Sequence, residues 1–347
     1  MGGQQFSRRA LLGAVGCGIV GTTAGCGSDS SETQSSPTPP ESTGAAEALE
    51  SWVVAERDKL VYGMHHDIES LRANVTDIGI EEAELGGSVI SHYADWFDGI
   101  DESNLTDRVF VHVGADTSLS VDAYEGTFNV TAFSESIAAS PYSDGGDYRG
   151  YTVAAEDVDA GEEAFQLAMT SDTFLTARNR ESLKRFVDTA AGDGARMVDE
   201  NDQFRRAVAV GSGESMTWFR ASPDPMDAVN GKPAGRVAAA QGATVDGATT
   251  RFRLAYVLDS TASESAAQAL SEVIDSYPVN ASTVARDGTL LSASGSYDSE
   301  DAEFVFRSFP AGETDTYPIP VEAADAGTER ATSPIPTTLD VSHGDDD

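Results

Sequence analysis

The pattern of apolar and polar positions changes character three times along the chain. Ala10 to Ala24 is a stretch dominated by Ala, Leu, Val, Gly and Ile. It gives way to GSDSSETQSSPTPPESTG over Gly27–Gly44, which has no large apolar residue and reads as a disordered stalk. The region that follows carries regular apolar spacings. From Gly312 to Asp347 the chain is rich in Pro, Thr and acidic residues and ends Gly344-Asp345-Asp346-Asp347, a pattern that predicts a solvated tail.

Within the patterned region, strand and helix spacings alternate. Arg108 to Val113 alternates and is rich in β-formers, as does Ser118 to Asn129, with Leu119, Val121, Ala123 and Phe128 as its buried side. A helix is expected from Thr131 to Ser140, capped by Thr131, and Tyr148 to Val153 resumes β structure. Ala164–Thr170 and Thr173–Arg178 form a hairpin around Ser171-Asp172. Glu181 to Ala191 places Leu183, Phe186, Val187 and Ala190 at helical spacing, and Gly192 stops it. Beyond it, Gln203–Val210 reads as helix and Ser215–Ala221 as strand. Gly235–Ala243 pairs with Thr249–Leu258 across Asp246-Gly247. Thr261–Ser276 is helical, with Ala266, Leu270, Val273 and Ile274 on one side, and Ser282–Ala285 and Thr289–Ser296 flank Asp287-Gly288.

The two halves also match locally. Val130 to Ser136 resembles Ser260 to Ser265, and Ala168 to Ala177 resembles Val284 to Ala293. This predicts a divergent duplication. The fold class expected is α+β, with antiparallel sheets covered on one face by helices, in two tandem repeats over 45–200 and 201–311. Segments 1–25, 26–44 and 312–347 flank them.

Charge changes the picture most. The 347 residues hold 22 Lys+Arg against 58 Asp+Glu, a net charge of −36. Such a surface repels nucleic acid and anionic lipid headgroups, so nucleic-acid binding is excluded as a function class. Only Lys59, Lys184 and Lys232 are lysines; the other basic residues are arginines. Molar salt shortens the Debye length to about 3 Å and lets packed carboxylates coexist. The chain is therefore expected to lose structure when salt is removed.

Ser7-Arg8-Arg9-Ala10-Leu11-Leu12 sets an arginine pair before the apolar stretch, which is too short and glycine-rich for a bilayer span and ends Thr23-Ala24-Gly25-Cys26. These residues, with the acidic and lysine-poor composition, resemble the twin-arginine signal and lipobox of haloarchaeal secreted lipoproteins, Thr23 standing where the usual lipobox has Leu. The resemblance implies export through Arg8 and Arg9, cleavage before Cys26, and a lipid on its thiol that tethers the protein to the outer face of the cytoplasmic membrane. The overall layout also resembles uncharacterised haloarchaeal lipoprotein families, which bring no activity with them. Cys17 lies in the signal and Cys26 in the lipobox, leaving no cysteine for a disulfide or thiolate metal site.

Chemistry is sparse. There is no G-x-S-x-G, H-E-x-x-H, C-x-x-C or P-loop motif, and no catalytic residue, metal or cofactor is expected. His65 and His66, adjacent in a strand, point to opposite faces and cannot share a metal; one half-buried and one exposed imidazole are expected. His92 reads as a surface residue, and His112 should face away from Val111 and Val113. Asp157-x-Asp159-x-Gly161 lacks the further ligands of a calcium loop and reads as a solvated turn. Trp52, Trp96 and Trp218, with Phe97 and Phe219, could line a sugar or lipid cleft, but three tryptophans in a chain of this length read first as core or boundary residues. Four of the seven asparagines, Asn74, Asn104, Asn129 and Asn280, begin N-x-[ST] sequons, so N-glycosylation is expected on at least one. The function expected is a lipid-anchored, non-catalytic surface module for an unknown small solute or surface protein. The alternatives are a transporter's solute receptor, which needs two lobes of parallel sheet, and a hydrolase, which needs two close acids of perturbed pKa in a pocket.

Overall fold

The structure, a computed structural model, describes residues 44–78, 87–114, 119–159, 163–228 and 232–301. The arginine pair, Cys26, the stalk, Gly161 and the C-terminal tail lie outside the described residues. Twelve strands form one sheet: β1 Val61–Asp67, β2 Leu105–Val113, β3 Leu119–Gly126, β4 Tyr142–Tyr148, β5 Tyr151–Glu156, β6 Gln166–Met169, β7 Thr173–Ala177, β8 Met216–Met226, β9 Arg236–Asp246, β10 Thr249–Leu258, β11 Ala281–Asp287 and β12 Leu290–Asp298. Their order in space is β11-β12-β10-β9-β8-β1-β2-β3-β7-β6-β5-β4. All eleven pairings are antiparallel. From the β1–β8 seam, β1-β2-β3-β7-β6-β5-β4 runs outward on one side and β8-β9-β10-β12-β11 on the other.

The helices are α1 Gly44–Trp52, α2 Ile68–Ala73, α3 Val75–Ile78, α4 Gly87–Ala94, α5 Val130–Ser136, α6 Arg180–Ala190, α7 Met197–Glu200, α8 Asp202–Gly211 and α9 Glu264–Ile274. They cover both faces of the sheet, not one as expected. One face packs Val109, Val111, Val121, Ala123, Ala240 and Val257 against Leu49 and Trp52 of α1, Leu183 and Phe186 of α6 and Phe204 and Val208 of α8. The other packs Tyr124, Phe174, Phe252 and Leu254 against Ile68, Tyr93, Phe133 and Leu270 from α2, α4, α5 and α9. Period-two alternation sends neighbouring residues of one strand into different cores: Ala123 goes one way and Tyr124 the other. Burial on both sides is why β10 reads as a nearly continuous apolar run from Leu254 to Leu258.

The Asp-Gly hairpins form as expected, with Gly247 at φ 58° and Gly288 at φ 59° as the first turn residues. Two local expectations are corrected. Tyr148 to Val153 is not one strand: Arg149 (φ 51°) and Gly150 (φ 85°) make a two-residue turn between β4 and β5. The cap of α5 is Asn129, whose Oδ1 accepts from the Ala132 N–H at 3.2 Å, not Thr131. Phe128 is buried but lies past the end of β3, in the other core from Val121 and Ala123.

The C-terminal end of α8 sits directly on β9. A Cβ on Gly242 would lie 1.8 Å from the Gly213 nitrogen, so only glycine permits this approach of two backbones. That contact holds the helix over Ala238 and Ala240, two of the small residues lining β9.

Candidate functional site

Three places on the sheet concentrate polar chemistry. The first is the middle of the face that carries α2, α4, α5 and α9. Arg108 on β2 donates to Asp122 on β3 through Nε at 2.9 Å and Nη2 at 2.7 Å, and the Tyr124 hydroxyl donates to the same carboxylate at 2.9 Å. The guanidinium also lies 5.5 Å from the centroid of the Tyr124 ring. Burial pulls the Arg108 guanidinium down, but the Asp122 carboxylate and the Tyr124 hydroxyl beside it outweigh this and hold it above its ordinary range.

Beside this network, His112 stacks on Tyr62 with ring centroids 5.2 Å apart, and Phe110 meets His112 at 4.3 Å. Burial pulls the His112 imidazole down to about 4, with Arg178 adding to the effect and Asp122 opposing it. Burial likewise pulls His66 down to about 3, helped by the Arg108 and His65 charges. Neither ring nitrogen of His66 has a hydrogen-bond partner among the described residues, nor has the Trp218 indole N–H. The strip is therefore apolar in character despite its polar residue types, with neutral imidazoles and an arginine fully engaged by its own carboxylate.

The second place lies where β1 and β2 end on the opposite face. Asp67 and Asp107 stand directly across from each other in register, and His65 Nε2 is 3.1 Å from Asp107 Oδ1. Burial raises the Asp67 carboxyl above its usual range; the Ser70 N–H bond opposes this and the Asp107 charge reinforces it. These are the close acids a carboxylate hydrolase requires. Their engagements are structural, however. Asp67 Oδ1 caps α2 by accepting from the Ser70 N–H at 2.7 Å, and His65 is only 1% exposed.

The third place is an open depression of about 520 Å³ lined by Gly99, Asp101, Asn104, Thr127, Asn129 and Thr131, among others. Asp101 is committed there to the Ser103 N–H and hydroxyl, which hold its carboxyl below the usual range. A smaller hollow of about 290 Å³ lies between Glu214, Thr244, Arg251 and Arg253.

The residues singled out in the sequence fall as follows. His65 and His66 do point to opposite faces, but neither is the exposed imidazole expected: His65 is buried, and the nitrogens of His66 are screened from solvent. His112 faces away from Val111 and Val113, as expected. His92 is exposed and packs on Trp96, itself 42% exposed, at 4.4 Å. The tryptophans do not assemble a cleft. Trp52 and Phe219 belong to one core, Phe97 to the other, and Trp96 lies outside. Asp157 and Asp159 are exposed. Among the described residues no group of three or more His, Cys, Asp or Glu is placed to hold a metal ion.

The sequons divide. Asn104 and Asn129 are exposed on the walls of the large depression. Asn280 is exposed, with its Nδ2 donating to Asp298 at 2.8 Å. Asn74 is half-buried and is part of the framework. Sequence reasoning missed the Arg108–Asp122–Tyr124 network because nothing local marks partners on adjacent strands.

Fold and sites together define a mixed α+β protein built on a single antiparallel sheet, with no helix among the described residues long and apolar enough to cross a membrane. No family model matches the chain, and no curated protein does. Among solved structures it is similar to crystal form III of TP0453, with a TM-score of 0.45 at 11% identity, covering 75% of this chain and 97% of that one. Crystal form IV of the same protein gives 0.45 at 12% identity, over 77% of this chain and 100% of the other.

Proposed function

We propose that this protein is a lipid-anchored, non-catalytic module on the outer face of a haloarchaeal cytoplasmic membrane, where it engages a small solute or a surface protein. The observation that carries the reading is the order of segments: an arginine pair, a short apolar stretch, Cys26, a Ser/Thr/Pro stalk, then a rigid sheet. One acyl chain would hold it only marginally, whereas two hold stably. The engaged state of Asp67, Asp107 and His65 favours the non-catalytic reading over the hydrolase. The antiparallel pairing of every described strand favours it over a receptor with two parallel lobes. A divergent duplication, with units over 45–200 and 201–311, is part of the same proposal and is supported by the like order of the first five strands on each side of the seam, β5 and β4 having no counterpart.

The test is fractionation with intact mass on native protein and on Cys26→Ser. The expected result is wild-type protein in the membrane fraction, beginning at Cys26 and carrying lipid mass, with the variant lost from that fraction. An untrimmed chain in the cytosol with a free Cys26 thiol would overturn the reading. A thermal-shift screen of small solutes at ~3 M KCl then identifies the ligand class, because a ligand binding only the folded state raises Tm by mass action.

A further inference from the structure

We propose that Asn104 and Asn129 are N-glycan acceptors of this chain, that their glycans share one patch over the depression they line, and that Asn74 stays bare although its sequon is equally complete. The proposal rests on the extracellular reading above and adds which sites are used.

The sequence alone makes Asn74-Val75-Thr76, Asn104-Leu105-Thr106 and Asn129-Val130-Thr131 equivalent. The fold makes them different. At Asn74 both ends of the amide are committed: Nδ2 donates to the Ser70 carbonyl at 2.8 Å, and Oδ1 accepts the Gly247 N–H at 3.0 Å. The side chain thereby ties the end of α2 to the β9–β10 turn, a contact between distant parts of the chain. The side chain is half-buried, so a sugar on that nitrogen would have to be seated against this contact, and glycosylation and the native packing compete whichever comes first.

The other two asparagines meet no such conflict. Asn104 is exposed just before β2, and its side chain makes no hydrogen bond among the described residues. Asn129 is exposed and uses Oδ1 to cap α5, which leaves Nδ2 without a hydrogen-bond partner among the described residues. Glycosylation takes place at Nδ2 and spares the carbonyl oxygen, so the cap survives modification. Both residues line the same depression, together with Gly99 and Thr127. The donor is a glycan carried on a polyprenyl phosphate. The asparagine nitrogen forms a C–N bond to the anomeric carbon, the anomeric C–O bond to phosphate breaks, the phosphate leaves with the electron pair, and the amide gives up one proton.

The experiment is glycopeptide mapping of the native, full-length protein, with intact mass of wild type, Asn74→Gln and the Asn104→Gln/Asn129→Gln double variant. The expected result is hexose-containing mass on the peptides bearing Asn104 and Asn129, none on that bearing Asn74, and the same glycan mass at Asn104 and Asn129 in Asn74→Gln as in wild type. The double variant should lose that mass while remaining folded. Glycan on Asn74 overturns the proposal, as do bare Asn104 and Asn129 peptides in a chain trimmed before Cys26, a result that leaves the extracellular reading standing. An untrimmed, unglycosylated cytosolic chain overturns both.

Discussion

Arg108 and Asp122 meet as a two-pronged pair across β2 and β3, in a diagonal arrangement in which Arg108 is in register with Tyr124 and Asp122 with Phe110. Asp122 is 4% exposed, and the pair sits within the sheet rather than at its rim. Removing one partner should leave an uncompensated charge in a dry place. Asp122→Ala is expected to cost about 3–5 kcal/mol of unfolding free energy, and Tyr124→Phe about 1 kcal/mol. Replacing both charges, as in Arg108→Met with Asp122→Leu, should cost much less than Asp122→Ala alone. Denaturant titration in strong salt distinguishes these outcomes; equal losses for the single and double variants would contradict a buried pair.

His66 and His112 set a pH limit. Each has a folded pKa, about 3 and about 4, below the 6.5 of an ordinary imidazole. The native state therefore binds fewer protons than the unfolded chain. Their contribution to stability is complete above about pH 6.5 and is lost as pH falls toward 4. Asp67 works in the opposite sense, since a raised carboxyl pKa favours the fold at lower pH. Melting temperatures from pH 7.5 to 4.5 should fall, and the fall should be shallower in His66→Gln/His112→Gln than in wild type, whatever the offset between the two curves. Parallel curves would show that the imidazoles are not held neutral.

The approach of α8 to β9 allows no side chain at Gly242. Gly242→Ala is expected to cost about 3 kcal/mol, because the atoms in the way are backbone atoms of Ser212 and Gly213 that cannot swing aside. A melting temperature within a degree of wild type would mean that the helix stands off the strand.

Salt should act on the whole molecule. With a net charge of −36, the compact state is opposed by its own surface. Tm is expected to rise steeply between ~0.1 M and ~3 M KCl as screening shortens the reach of each carboxylate. A flat dependence would remove the brine argument.

Legibility followed local chemistry. The hairpins at Gly247 and Gly288 could be read because the turn needs a backbone that few residues other than glycine adopt, and α6 because Leu183, Phe186 and Val187 share one stripe. Strand β4 could not. Its sequence Ser143-Asp144-Gly145-Gly146-Asp147 is that of a loop, and it forms a strand only because the sheet edge beside β5 accepts it with a register shift at Gly146. Coverage of both faces was hidden because a strand buried twice has no alternation to display. The depression was half legible: the Asn104 and Asn129 sequons were visible, but their meeting, and the diversion of Asn74 into the framework, depend on contacts between residues far apart in sequence.

The seam between β1 and β8 has a consequence for synthesis. The first strand of the sheet lies in its middle, and the neighbour on one of its sides is delivered only after seven helices and six further strands have left the ribosome. Until β8 arrives, β1 presents an open hydrogen-bonding edge at the heart of the future fold, so the two sides of the sheet are joined at its centre while β9 to β12 are still to be added outward.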